Sequence, residues 1–111
     1  MARRILLACT DLFFASKVRE TARHAGAAIL PDIAAWPPDE EPQLAIVDLD
    51  ATSFDPLQLV RDLRGRLGER VSIVAFVRHD KVELVKSARE AGADKVLSRG
   101  AFSERLPSLL G

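Results

Sequence analysis

Sulfur is scarce in this chain, net charge is absent, and no apolar run is long. The single cysteine, Cys9, excludes an intramolecular disulfide and fits a reducing compartment. No apolar run approaches the roughly 18 residues that a membrane span needs. The amino end, MARRILLACTD, meets a charge after too short an apolar stretch to read as a signal peptide. With 16 Lys and Arg against 16 Asp and Glu, no overall field draws the chain to nucleic acid or membrane. GxGxxG, P-loop and metal-ligand spacings are all missing, which disfavours a nucleotide enzyme. Internal repeats and linkers are missing too. These absences leave a soluble, cytoplasmic domain, and 111 residues make one domain (1–111) long enough to bury a core.

The charge balance hides an asymmetry. Residues 1–60 carry 5 bases and 9 acids, and residues 61–111 carry 11 bases and 7 acids.

What is present is an alternation of short apolar runs with amphipathic segments. ILLAC (5–9) reads as a strand, apolar on both faces as buried parallel strands are. Thr10 or Asp11 then caps a helix to about Ala25, with Phe14, Val18, Ala22 and Ala25 on one face and Gly26 as its stop. AAIL (27–30) is a short strand. Four prolines between Pro31 and Pro42 leave room for one helical turn at most. LAIVD (44–48) is the third strand, and it runs straight into a carboxylate. Asp48 is either the first residue of a loop or a group placed at a strand's carboxyl end, where open α/β sheets hold their chemistry. Asp55 and Pro56 then start a helix whose apolar stripe is Leu59, Val60, Leu63 and Leu67. VSIVAFV (71–77) is the fourth strand. Asp80 and Glu83 have capping-box spacing ahead of a helix that turns Leu84, Val85, Ala88 and Ala91 inward and ends at Gly92. KVL (95–97) is the last strand, followed by a weak helix from Ser103 that Pro107 interrupts. Five such units argue a parallel sheet covered on both faces, an α/β fold with right-handed crossovers.

The last third, VSIVAFVRHDKVELVKSAREAGADKVLSRGAF, resembles the fourth strand, fourth helix and fifth strand of the receiver domain of bacterial two-component response regulators (CheY-like). LAIVDLDATSFDPLQLVRDLR is similar to that family's third strand, phosphoacceptor loop and third helix. The resemblance covers almost the whole chain. It implies a three-layer, flavodoxin-like α/β/α sandwich with five parallel strands in the order 2-1-3-4-5. The segment between Gly26 and Asp48 is about six residues shorter than usual, which implies a second helix shortened or lost.

The same resemblance places Asp48 at the phosphoacceptor position. Cys9 and Thr10 fall where a pair of acids holds Mg²⁺, with Asp11 one place later and Asp11 and Asp50 as possible outlying carboxylates beside Asp48. Phe76 replaces the hydroxyl that senses the phosphoryl group. Arg99 stands for the lysine, Gly100 for the proline after it, and Pro56 for a glycine. One of five signature positions is kept. Phosphoryl transfer to a carboxylate needs a cation to neutralise the crowded oxygens. Two unit charges at about 4 Å are worth ~4 kcal/mol at an effective dielectric near 20, so two lost carboxylates weaken Mg²⁺ binding by orders of magnitude. Cys9 is a soft and usually protonated substitute. A phenyl ring cannot make the hydrogen bond of a switching hydroxyl. Arg99 keeps a cation and adds a fork suited to carboxylate or phosphate, so it can pair permanently with Asp48 or Asp11.

The expectation is a non-enzymatic signalling domain, a degenerate receiver acting as a protein-interaction module without phosphorylation and without a cofactor. Its rival is a receiver phosphorylated on Asp48, with Asp48 and Asp11 holding Mg²⁺. A small-molecule pocket above Asp48 is a third reading. The partner is expected to be a protein or a second copy of the chain. The expected contact face is made by the fourth helix, fifth strand and fifth helix, and it carries Lys86, Arg89, Lys95 and Arg105. Four other residues are open to two readings. Cys9 is a redox sensor or an inert buried thiol. His79, beside Asp80, is an acid/base group or a loop residue, and His24 sits on a solvated helix face. Trp36 is a binding knob or a cover for a bare sheet edge.

Overall fold

The computed structural model describes residues 3–30, 41–78 and 81–110. Five parallel strands, β1 (Arg4–Ala8), β2 (Ala28–Ile29), β3 (Leu44–Asp48), β4 (Ser72–Val77) and β5 (Lys95–Ser98), form one sheet in the order β2-β1-β3-β4-β5. Helices α1 (Leu12–His24), α2 (Pro56–Leu67), α3 (Val82–Ala91) and α4 (Arg99–Leu110) flank it, with a 3₁₀ turn at Gly68–Arg70. This is the flavodoxin-like order. None of the described helices is long and apolar enough to cross a membrane.

The central strands are apolar throughout because both faces of the sheet are covered. Successive side chains on a strand point to opposite faces, so each strand feeds two cores. Leu44, Ile46, Val74 and Phe76 join Val18 of α1 and Phe102, Leu106 and Leu110 of α4 on one side. Ala45, Val47, Ile73 and Ala75 join Val60, Leu63 and Leu67 of α2 and Ala88 of α3 on the other. Asp48 follows the parity of Ile46 and pairs in register with Phe76. That alternation aims its carboxylate at the α1–α4 side, at the carboxyl end of the sheet.

The opposite end is clasped by Arg64 of α2. Its guanidinium donates to the Gly92 carbonyl at 2.8 and 3.1 Å, to the Val71 carbonyl at 3.0 Å and to Asp94 at 2.6 Å. Asp94 also accepts from the Ile73 N–H at 2.7 Å. Gly92 has φ +123°, and a Cβ there would lie 3.0 Å from Cβ and Cγ of Arg64. The AGAD turn therefore needs its glycine for two reasons, backbone conformation and the close approach of Arg64.

Several boundaries differ from the sequence reading. β1 ends at Ala8, so Cys9 lies just past it. Ala25 is the exposed C-cap of α1 and not part of its buried face. The cap position of α3 is Lys81, which makes no side-chain cap bond. The last helix starts at Arg99, not Ser103, because the Ser98 hydroxyl accepts the Ala101 N–H at 3.2 Å and does the work of a cap. It also runs through Pro107. An interior proline removes a backbone donor and crowds the preceding turn. Phe102, Leu106 and Leu110, spaced by four, remain buried on one stripe and carry the helix past it. The expectations for Trp36, His79 and Asp80 fall outside the described residues, as does most of the segment where a second helix was expected to be short or lost. Among the described residues no helix lies between β2 and β3.

Candidate functional site

Chain turns after β1, β3 and β4 and the start of α4 converge at the carboxyl end of the sheet. β3 delivers Asp48, whose side chain is only 2% exposed. A carboxylate so buried needs partners, since an unpaired buried charge is costly. Oδ1 of Asp48 accepts the Asp50 N–H at 3.0 Å, and Oδ2 receives the Cys9 thiol at 3.8 Å. Nη2 of Arg99 lies 3.6 Å from Oδ1. Burial pushes the Asp48 carboxyl above the usual range, against the Asp50 amide and the Arg99 charge, which pull it down.

Asp11 serves two masters. Its Oδ1 caps α1 by accepting the N–H groups of Phe13 and Phe14 at 3.0 and 3.3 Å. Its Oδ2 receives Nη1 of Arg99 at 3.0 Å. The Arg99 hydrogen bond, with the capping amides, holds the Asp11 carboxyl below the usual range.

Asp50 completes the set. Its Oδ2 accepts the Arg78 N–H at 3.1 Å and faces Nε of Arg99 at 3.5 Å. Oδ1 lies 3.4 Å from Nζ of Lys81, an ion pair without hydrogen-bond geometry. Lys81 is thus turned into the site instead of serving its own helix.

Arg99 is the hub. Burial opposes its charge, but the bond to Asp11 and the Asp48 charge outweigh that and hold its pKa up. It also lies over aromatic rings: Cζ is 4.8 Å from the Phe14 ring centroid and 5.4 Å from that of Phe76. Phe76 is fully buried and stacks between Phe102, at 4.6 Å, and Phe14, at 5.4 Å.

The Cys9 thiol also points at the Asp11 carbonyl, 3.5 Å away. Burial pushes its pKa up to about 11, helped by the Asp48 and Asp11 charges. A thiol so protonated is neither a good nucleophile nor a good metal ligand.

Tested against Mg²⁺, this donor set does not fit. Among the described residues no group of three or more His, Cys, Asp and Glu side chains is arranged to hold a metal ion. The three carboxylates stand around a guanidinium instead, and the remaining neighbour is a soft protonated thiol.

Sequence reasoning did not select Phe14 or Lys81 as site residues, and it reached Asp50 only as a possible outlying carboxylate of the pocket. Asp50 carried a signal, since it lies two residues beyond Asp48. Phe14 read as an ordinary core residue of α1, and nothing local to Lys81 announced its direction. Of the face expected to bind partners, Lys86, Arg89, Lys95 and Arg105 are all exposed on α3, β5 and α4. The exposed acids Glu83, Glu90 and Glu104 are interspersed with them. His24 is exposed on α1.

No protein-family model matches the chain, and no curated protein does. Solved structures do. A response regulator protein from Burkholderia pseudomallei, determined with a phosphorylated aspartic acid, calcium ion and citrate, is 19% identical with a TM-score of 0.79; the match covers 98% of this chain and 66% of that one. The response regulator DrrB from Thermotoga maritima is 18% identical with a TM-score of 0.80, over 97% of this chain and 50% of that one. The present chain thus spans between half and two thirds of those two proteins. A receiver domain protein (CheY-like) from Methanospirillum hungatei matches at a TM-score of 0.79 and 16% identity, over 99% of this chain and 94% of that one. The chain has the fold of response-regulator receiver domains.

Proposed function

We propose that this chain is a signalling domain on the receiver fold that works as a protein-interaction module without phosphorylation. One observation carries the reading: the Arg99 guanidinium sits among Asp11, Asp48 and Asp50 at 3.0 to 3.6 Å, in the space where a metal and a phosphoryl group would have to enter. Phe76 supports it, because a ring stacked between Phe14 and Phe102 can neither donate a hydrogen bond nor rotate freely. A scaffold with a closed pocket is useful through its surface. The face we assign to the partner is α3–β5–α4, where Lys86, Arg89, Lys95 and Arg105 form no ion pair among the described residues. Such a face suits an acidic protein partner.

The second reading, a phosphoacceptor at Asp48, has one observation in its favour: Asp48 ends β3 with two more carboxylates beside it. Intact mass after incubation with acetyl phosphate and Mg²⁺ separates the two. We expect no phosphoryl adduct on the wild-type chain. An adduct that disappears in Asp48→Asn would establish the second reading instead.

A further inference from the structure

A guanidinium and a hydrated divalent ion make opposite demands on a pocket, and every wall of this one meets the first set. Each of the three nitrogens of Arg99 faces a different carboxylate: Nη1 faces Asp11 at 3.0 Å, Nη2 faces Asp48 at 3.6 Å and Nε faces Asp50 at 3.5 Å. That one-to-one match follows the planar fork of a guanidinium and not the convergent, near-octahedral shell of Mg²⁺. The guanidinium carbon lies over the rings of Phe14 and Phe76, a contact that suits a weakly hydrated, delocalised cation and offers nothing to a hydrated ion. Position 9 supplies a thiol that donates toward Asp48 and adds no hard oxygen ligand.

We propose that the pocket at the carboxyl end of the sheet is a guanidinium-recognition site, filled in cis by Arg99, and that its geometry refuses divalent cations. This rests on the reading of the domain as phosphorylation-independent and gives that reading its cause. Arg99 is a tethered counter-cation shared by Asp11, Asp48 and Asp50, with Lys81 as a second cation at Asp50. The pocket consequently has one state, which no metal concentration tunes.

The experiment removes the tether and offers its chemistry back in solution. In Arg99→Ala, ethylguanidinium at about 10 mM should raise the melting temperature by several degrees over NaCl of equal ionic strength, by preferential binding to the folded chain. MgCl₂ at the same concentration should raise it no more than NaCl does. The guanidinium effect should vanish in Arg99→Ala/Asp48→Asn. Arg99→Lys should melt close to Arg99→Ala, because a single ammonium cannot serve three carboxylates. In the wild-type chain, Mn²⁺ should cause no saturable broadening of the Asp48 and Asp50 amide resonances. If Arg99→Ala does not fold unaided, the same additions are read as recovery of circular dichroism, and failure of ethylguanidinium to restore it overturns the proposal. So does rescue by Mg²⁺ equal to that by ethylguanidinium, an Arg99→Lys chain as stable as wild type, or saturable Mn²⁺ binding at Asp48. Acetyl-phosphate labelling of the wild-type chain would sink the functional reading whatever the variants do. An unlabelled wild type with an unrescued Arg99→Ala would sink this inference alone.

Discussion

Replacing Arg99 by alanine should harm the fold more than replacing Asp48 by asparagine, although Asp48 is the more deeply buried of the two. Breaking a fully buried ion pair costs about 3–5 kcal/mol, because the surviving charge is left without a partner. An exposed pair is worth less than about 1 kcal/mol. Asp48 is sealed, while Arg99 keeps 28% of its side chain in solvent. Arg99→Ala therefore belongs between these limits, at about 2–3 kcal/mol. It strands a buried carboxylate next to the like charges of Asp50 and Asp11. Asp48→Asn removes the charge whose burial is unfavourable and retains an oxygen for the Asp50 N–H, so its cost is about 1 kcal/mol or less. For a chain of this length 1 kcal/mol corresponds to roughly 4–6 °C, which puts the Arg99→Ala melt about 10 °C below wild type. Far-UV circular dichroism melts at neutral pH in EDTA give the order directly. The double variant should be more stable than Arg99→Ala alone, since the stranded charge is gone. A lower melting temperature for Asp48→Asn than for Arg99→Ala, or a double variant no better than Arg99→Ala, would refute the argument.

Phe76→Thr, which places a hydroxyl near the end of β4, should cost about 3 kcal/mol by leaving a cavity between Phe14 and Phe102. A loss well under about 1 kcal/mol in denaturant titrations would mean that the ring is not a packing element of the site. Cys9, with its thiol pushed up to about 11 from 9.0, should be alkylated about a hundredfold more slowly at pH 8 than in the unfolded chain. Because the folded-state value is raised, the thiol's contribution to stability is fully present below pH 9 and lost as pH rises through about 11. Equal iodoacetamide rates in native and denatured protein would contradict the burial that causes the shift.

Periodicity and punctuation were enough to read a covered parallel sheet from the sequence, and its strand order came by resemblance. The apolar runs around Leu6, Ile46 and Val74 have no polar alternation because both faces of their strands are covered, and that is a local signature of a parallel sheet. Asp11, Asp55 and Gly92 mark helix ends by side-chain and backbone chemistry that acts within a few residues. The start of α4 was not legible. Ser98 became a cap only once β5 had placed its hydroxyl beside the Ala101 N–H, and the buried stripe of Phe102, Leu106 and Leu110 outweighed the local penalty of Pro107. At the site, the sequence identified Asp48 by its place at the end of a strand, and Arg99 and Phe76 by resemblance. It left open which acid Arg99 would meet. Tertiary structure decided that all three do, because parallel strand order brings residues 11, 48, 50 and 99 to one end of the sheet across separations of up to 88 positions. The preference of a guanidinium for one carboxylate over another is a matter of ångströms between chain segments, and no local pattern encodes such distances.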